Sequence, residues 1–576
     1  MHIRLRPLSF MWLPVYACLV TGCTAPEPAD LLITNAVIYT LDDSRPRAEA
    51  MVVRDGRILA LGSNNEIRTR FNGTERDARG AMVLPGFHDA HVHPLDAGID
   101  FLRCNLSESE TVAALLATVA GCDAGDPGTG WLLGYGWSLA LFENGNPHRS
   151  LLDGVSTQRP ILLEGADGHS TWANSLAFER AGVDADTPAP ALGIIERDAD
   201  GVPSGTLRET ARALLLQFVP GPGSDELAAA LVNGVAVLNS YGITSMIEAN
   251  ASSDDLAVYR KVDTAGDLNI RAVVSQTLNP DDYIGQINGM VAASNKPGDM
   301  NNTWPARVRG NTVKIFLDGV LEGETAALLE PYLTSTATTR VTPRGRLTIE
   351  SEKLEQIVTA FDTAGIQVHV HAIGDRAVQT VLDAFAAARR SNGSTYARHH
   401  VAHLQLVDPA DYGRFAQLDV TANFQAVWAF PDDYIMKINL PQLGPERVAR
   451  MYPVGSLARA GARIVGGSDW NVSTANPLVA IEVALTRQDP SGRRSDVLNA
   501  EEAVDLETML RAYTVNGAWL MHQENVTGKL APGFAADFVM LERNLFEIPA
   551  SEIGEVGVLA TYLDGIVVFD ASDSGD

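Results

Sequence analysis

Two rhythms of apolar and polar positions divide the chain. Residues 31–84 read as short β-rich runs broken by turns, LLITNAVIYTL, AMVVRDGRILALG and AMVLPGF, with Asp55-Gly56 as a hairpin step. The stretch from 523 onward repeats that rhythm in FAADFVMLE and VLATYLDGIVVFD, turned at Asp564-Gly565. Neither end carries enough strands to fold alone, so 31–84 and 521–576 are expected to build one sheet unit together. Residues 85–520 behave differently. Apolar strands such as GITSMIEA, IRAVVSQT, VKIFLDG, IQVHVHAIGD, HHVAHLQLV and RIVGGSD each run into a polar turn or a helical pattern. That alternation signals an α/β architecture with a parallel sheet, and over this length a (β/α)8 TIM barrel is expected. Residues 180–215 carry the pattern of a hairpin inserted over the barrel mouth.

The N-terminus has another logic. Arg4 and Arg6 precede the apolar stretch Leu8–Val20, and Thr21-Gly22-Cys23 follows. A basic start, a short apolar core and small residues before a cut make a secretory signal over 1–22. The apolar stretch falls short of the roughly 20 residues that span a bilayer. Its small-small-Cys ending resembles a bacterial lipoprotein signal, which implies that Cys23 is lipidated and becomes the new N-terminus; plain secretion is the alternative. Thr24 stands where an Asp would retain such a protein in the inner membrane. The expectation is therefore an outer-membrane lipoprotein facing the periplasm, with 23–30 as linker and the lipid as its sole membrane contact.

Composition narrows the class. Among 576 residues, 44 Lys+Arg face 71 Asp+Glu, a formal charge of −27, and no basic stripe offsets it. Nucleic acid is disfavoured as a partner, while the charge says little about a neutral small-molecule substrate. With Cys18 in the signal and Cys23 lipidated, only Cys104 and Cys122 remain of the four cysteines. The segment between them, SESETVAALLATVAG, reads as a capped helix roughly 18 Å long. A disulfide needs Cα atoms within about 7 Å, so a bridge requires the flanking turns to fold back and stays open.

Candidate chemistry clusters at strand ends. In VLPGFHDAHVHP, His91 and His93 alternate onto one face, where two imidazoles can share a metal. IQVHVHAIGD offers His369 and His371; His371 lies nearer the C-terminal end, where barrel sites sit, and His369 belongs to a deeper layer. In RHHVAHLQL, His403 ends the apolar run and is the expected ligand, with His399 and His400 supporting it or at the surface. Asp469 follows the Val-Gly-Gly strand end of RIVGGSDW, as a ligand or as a helix cap. Lys314, inside the apolar run of NTVKIFLDG, is either paired outward with a carboxylate or a neutral amine able to take up carbon dioxide as a carbamate.

In this order, His91-x-His93, Lys314, His371, His403 and Asp469 resemble the amidohydrolase superfamily, and specifically its family 3 branch of N-substituted formamide deformylase-like and exoenzyme-regulatory-like proteins. GWLLGYGWS, DGHSTWANS, GVPSGTL, KIFLDG, HAIGDRA, GGSDW and AYTVNGA extend the resemblance over nearly the whole mature chain. His88 and the GFAAD segment depart from the usual pattern without touching a proposed ligand. The resemblance implies a β-sandwich built from both chain ends and a divalent-metal site, with zinc favoured and one or two ions. His91, His93 and Asp469 would hold one ion and His371 with His403 a second, bridged by carboxylated Lys314. A bridging hydroxide would attack the carbonyl of a non-peptide amide, and Asp469 would carry its proton to the leaving nitrogen. His169, Trp172, Asn174 and Asp318 are the expected substrate-side residues, with Trp137 and Trp428 as further walls. Cyclic-amide opening, deamination or isomerisation on the same site, and a non-catalytic binding lipoprotein, are the alternatives. Relatives of this kind often associate, so a homodimer is a further expectation.

Overall fold

The computed structural model describes residues 26–101, 103–125, 130–294, 307–333, 343–393 and 396–574. The signal at 1–22 and the lipidation site Cys23 lie outside the described residues. Eight parallel strands form the centre: β1 Phe87–Val92, β2 Ile243–Ala251, β3 Arg271–Thr277, β4 Val308–Phe316, β5 Gln367–Ala372, β6 His400–His403, β7 Thr421–Phe424 and β8 Ile464–Gly466, each paired with the next in chain order. No ladder joins β8 to β1. The seam is drawn together instead by Asp469 N–H donating to the His91 carbonyl at 2.7 Å and His93 N–H to the Trp470 carbonyl at 2.6 Å. Gly467 permits that approach, since a Cβ there would come within 2.7 Å of the His91 Cβ. This is the expected (β/α)8 barrel.

Beneath the mouth the barrel is plugged by Ala90, Ile247, Val273 and Val465 together with Leu520 and Met521. Its flanks are sealed by amphipathic helices such as Ser351–Thr363 and Asp375–Asn392, whose leucine, valine and phenylalanine faces pack on β4–β7. Among the described residues no helix is long and apolar enough to cross a membrane.

Two further sheets lie outside the barrel, the first built from the N-terminal end alone and the second from both chain ends. One comprises Glu27–Thr34, Ala50–Arg54, Arg57–Gly62 and Phe71–Asp77; the other sets Met82–Pro85 and Val37–Tyr39 beside Phe538–Leu541, Val558–Leu563 and Ile566–Asp570. Ile33, Met51 and Val53 of the first face Val83, Phe538 and Tyr562 of the second in one apolar core. The first strand begins at Glu27, ahead of residue 31, because parallel pairing of Glu27 with Phe71 and Pro28 with Asn72 extends it into the segment read as linker.

Between β1 and β2 the chain builds a separate six-stranded mixed sheet. It runs from Cys104–Asn105 through Leu132–Trp137, Ile161–Gly165 and Ser170–Ala173 to the hairpin Gly193–Arg197 with Pro203–Glu209. The hairpin expected over 180–215 is thus the edge of a larger inserted unit. Cys104 and Cys122 are bridged, with Cα atoms 6.0 Å apart. The helix is Val112–Gly125, starting later than the segment SESETVAALLATVAG suggests. Residues 105–111 run back along it, and this return lets Cys104 meet the last turn.

Candidate metal centre

Strand register explains why the chemistry converges. Lys314 of β4 pairs with His369 of β5, and His369 with His400 of β6, so three polar side chains enter one layer of the barrel. His369 and His400 stack at 4.0 Å between ring centroids, with Ser275 Oγ 3.2 Å from His369 Nδ1 and Asn423 Nδ2 3.3 Å from His400 Nδ1. His369 Nε2 then meets His91 Nδ1 at 3.0 Å and fixes that ring. His369 is therefore an orienting residue below the ligands, and His399 and His400 are both fully buried, which removes the surface reading.

In the layer above, the donor atoms of His91, His403 and Asp469 lie within 4.8 Å of one another, all three residues buried. Asp469 Oδ1 is 3.3 Å from His91 Nε2 and 3.0 Å from His93 Nε2, and its Oδ2 is 3.9 Å from His403 Nδ1. Lys314 Nζ reaches His91 Nε2 at 3.2 Å, so the lysine points inward. Both His403 and Asp469 are held at positive φ, 79° and 54°, a conformation that costs non-glycine residues energy and that surrounding structure must enforce.

His371 sits beside this group, its ring 4.4 Å from that of His403. Its Nε2 lies 3.2 Å from the Gly319 carbonyl, which can only accept, so Nε2 carries the proton and Nδ1 is left as the lone-pair donor. The Asp318 carboxylate, expected on the substrate side, accepts the backbone N–H groups of Ala327, Ile373 and Gly374 at 2.9–3.0 Å and stands 3.7 Å behind His371. It fixes the loops that frame the ligand.

Burial sets the protonation states. Desolvation drives His91, His371 and His403 well below the ordinary imidazole value, leaving the neutral rings a cation requires. The same desolvation takes Lys314 down to about 7 against the opposing pull of Asp469 and Glu248. His93 goes the other way. Burial opposes its charge, but hydrogen bonds to Asp469 and Glu248 carry it to about 10. Asp89 is pushed up to about 7 by burial, although its Oδ1 accepts the N–H groups of His91 and Ser468 at 3.0 Å and so pins β1 to the turn after β8.

Two acidic residues of the site escape motif reading. Glu248 of β2 accepts from His93 Nδ1 at 3.2 Å and from the Tyr259 hydroxyl at 2.7 Å. A carboxylate inside the apolar run ITSMIEA is the same signal as Lys314 and could have found it. Glu209, at φ 52°, accepts from His169 Nδ1 at 2.8 Å and from Thr325 Oγ1 at 2.7 Å, and nothing in its local sequence marks it.

The candidate ligands floor a cavity of about 560 Å³ at the C-terminal end of the strands, walled by His169, Phe316, Trp428 and Tyr434 among others. Three residues expected at the substrate, Trp172, Trp137 and Asn174, lie elsewhere. Trp172 is fully buried in the inserted sheet against Trp137 and Phe142, at 5.9 and 5.3 Å, because its side of that short strand faces the sheet's own core; Trp137 shares that burial. Asn174 caps helix Ser175–Ala181 through Ala177 N–H and spends its remaining amide bonds on Ile161, Ser156 and Arg159. Trp428 does line the cavity and stacks on His403 at 5.6 Å.

The donor set fits a divalent cation. His403 Nδ1 is buried without a hydrogen-bond partner, 3.9 Å from a carboxylate oxygen, and this leaves a lone pair and a charge facing a common gap. Mixed imidazole and carboxylate donors suit zinc and also admit other first-row metals.

A profile of the amidohydrolase family matches residues 74–569. Protein LONG AFTER FAR-RED 3 of Arabidopsis thaliana is 31% identical over 93% of this chain and 91% of its own length. N-substituted formamide deformylase of Arthrobacter pascens is 28% identical over 95% of this chain and 99% of its own. Among solved structures, an uncharacterized metal-dependent hydrolase from Pyrococcus horikoshii superposes with a TM-score of 0.70 at 22% identity, covering 91% of this chain and 99% of that one. With its barrel, its sandwich and its ligand-bearing strand ends in place, the chain belongs to the amidohydrolase family.

Proposed function

We propose that this chain, a metal-dependent hydrolase of carbon–nitrogen bonds, cleaves a non-peptide amide of a small molecule and uses Asp469 to move the proton. The observation that carries the reading is the convergence of His91, His403 and Asp469 donor atoms within 4.8 Å at the cavity floor. The relative from Arthrobacter pascens, by its name a formamide deformylase, points to an N-acyl or N-formyl compound.

His91, His93, His371, His403 and Asp469 would hold one or two cations, His93 giving up its Nε2 proton to do so, with zinc the best match to the donors. A cation bound there supplies Lewis acidity and brings the pKa of water down to about 7. The other tasks fall to the chain. Asp469, 3.0 Å from His93 Nε2, takes a proton on its carboxylate and hands it to the departing nitrogen. Glu209 accepts from His169 Nδ1 and, against burial, favours the imidazolium form, in which Nε2–H is also available to donate to the substrate carbonyl oxygen. Lys314, lowered to about 7, can attack carbon dioxide with its amine lone pair; the nitrogen then loses a proton and a carbamate results. The aromatic wall of Phe316, Trp428 and Tyr434 keeps bulk water from the reacting groups.

The Cys104–Cys122 bridge suits an oxidising compartment, which supports export through the 1–22 signal and lipidation at Cys23. Labelled palmitate incorporated by the full chain and lost in Cys23→Ser checks that step.

The activity test measures metal content together with hydrolysis of a panel of N-formyl and N-acyl amines, alongside His93→Ala and Lys314→Ala. Near two ions per chain, falling in both variants, with release of free amine, supports the reading with a bridging carbamate. One ion lost only in His93→Ala makes Lys314 structural. Protein that stays metal-free after reconstitution sinks the mechanism.

A further inference from the structure

The cavity has two chemically different ends. Toward the inserted sheet, its arginines are committed. Arg212 is bound to Glu164, the Gly168 carbonyl and Thr171, and Arg103 is bound to Asp100, with Glu164 at 3.6 Å. All three guanidinium donors of Arg212 are engaged in this way, and the charge of Arg103 is balanced by two neighbouring carboxylates. Toward the segment after β7, the wall holds two carboxylates, Glu322 and Asp432, beside the rings of Trp428, Phe430 and Tyr434. Among the described residues neither carboxylate is in an ion pair, and the hydrogen bond Asp432 accepts is from the Ile435 N–H at 2.8 Å. The cations near that segment are spent on the protein: Arg494, from a later loop, on Asp433 and the Pro431 carbonyl, and Lys437 on Asp433 at 2.7 Å.

Two amide side chains in the same wall are left wanting. Asn439 is fully buried with its amide N–H group beside the Glu322 carboxylate, which it helps to hold charged, and its Oδ1 has no partner. Gln405 is 6% exposed and its Oε1 has no partner. Buried amides are seldom left unsatisfied unless a ligand or water serves them. Burial also pushes Asp432 up to about 7 and raises Glu322, so both carboxylates are held at a cost that an opposing charge would remove.

We propose that this end is a subsite for a cationic group, an ammonium borne on the apolar or aromatic part of the substrate. Glu322 and Asp432 oppose its charge, the carbonyl oxygens of Asn439 and Gln405 accept its N–H groups, and Trp428, Phe430 and Tyr434 flank it. The substrate class is then an amide with a second, unacylated amine held away from the scissile bond. This rests on the reading of the cavity as the substrate site of an amide hydrolase, and it carries that reading to a class of compound.

Calorimetric titration of the metal-loaded protein with phenylbutylamine, phenylbutanol and phenylbutyrate tests it. The amine is expected to bind at least about tenfold more tightly than the alcohol, with the carboxylate weakest. Replacing Glu322→Gln and Asp432→Asn together is expected to erase that advantage and leave alcohol binding unchanged; Glu322→Gln alone serves if the pair lowers the thermal midpoint. Phenylbutyrate binding as well as the amine, or an amine preference that survives the neutral variants, overturns the subsite. Amine selectivity without hydrolysis of any amide would sink the reaction and spare the subsite. Hydrolysis without selectivity would do the reverse.

Discussion

At the lower end of the barrel, where β3 begins, the buried Arg271 guanidinium donates to both oxygens of the buried Asp537, at 2.8 and 3.2 Å, and to Asp564. Asp564 also takes Arg307 at 2.9 Å. At the upper end, buried Lys314 faces His91 at 3.2 Å, His403 Nδ1 has no partner, and Asp89 Oδ2 has none. Both ends place charge where water cannot reach, and the chain is equally committed to each. The lower network closes on itself and clamps the β-sandwich to the barrel. The upper one is left open, with neutral imidazoles, a lysine near 7 and carboxylates short of partners. Buried charge that is fully paired reads as architecture, whereas buried charge left incomplete reads as a place built for something else to complete it.

The largest expected effect breaks the open end. Asp469→Asn keeps the shape but loses the base, so kcat is expected to fall by about 10³-fold or more. Thermal unfolding should change little beside that loss, because the amide keeps the side chain's volume and an oxygen that can accept from His93. A variant that unfolds more easily while keeping activity would reverse the roles assigned to the two ends. Breaking the closed end should do the opposite. Asp537→Ala leaves the Arg271 charge buried without its two-oxygen carboxylate partner, a cost of about 3–5 kcal/mol in urea unfolding, with kcat per folded molecule unchanged. A smaller effect sits at the rim. Glu209→Gln keeps a hydrogen bond to His169 but removes the charge behind it, and kcat is expected to drop about tenfold with KM nearly unmoved. A change confined to KM would mean that His169 binds the ground state and does no more.

The open end was largely legible in the sequence, and the reason is geometric. His91, His371, His403 and Asp469 each stand at the terminus of an apolar run, and barrel strands deliver such termini to one point. Lys314 stood out because an apolar strand has no cheap way to carry an ammonium. Trp172 and Asn174 misled for a matching reason. A four-residue strand shows which side chains alternate but not which sheet it joins, and theirs belongs to the inserted unit whose core takes the tryptophan. Glu209 is invisible locally because its role depends on His169, 40 residues away across that unit. The closed end was equally hidden. Asp564 looked like half of a hairpin turn, and only the fold brings Arg271 against it.

The mildest test stays within the sandwich, where one closed pair is partly solvated. Arg76 donates to Asp570 at 2.6 Å, and that hydrogen bond, with Ser572 adding to it, takes the Asp570 carboxyl down to about 2. An ordinary Asp titrates near 3.9 when unfolded. Between those values the unfolded chain binds the proton and the folded one does not, so the pair's stabilisation is complete above the ordinary value and drains away as pH falls toward 2. Arg76 is about a third exposed, which screens the interaction, and about 1 kcal/mol or less is expected at neutral pH. Asp570→Asn should therefore unfold at a slightly lower urea midpoint than the unsubstituted protein at neutral pH, and the gap should narrow as pH drops from 5 toward 3. A gap that holds constant with pH would mean the pair acts through packing and not through charge, and the closed networks of this fold would then owe their worth to shape.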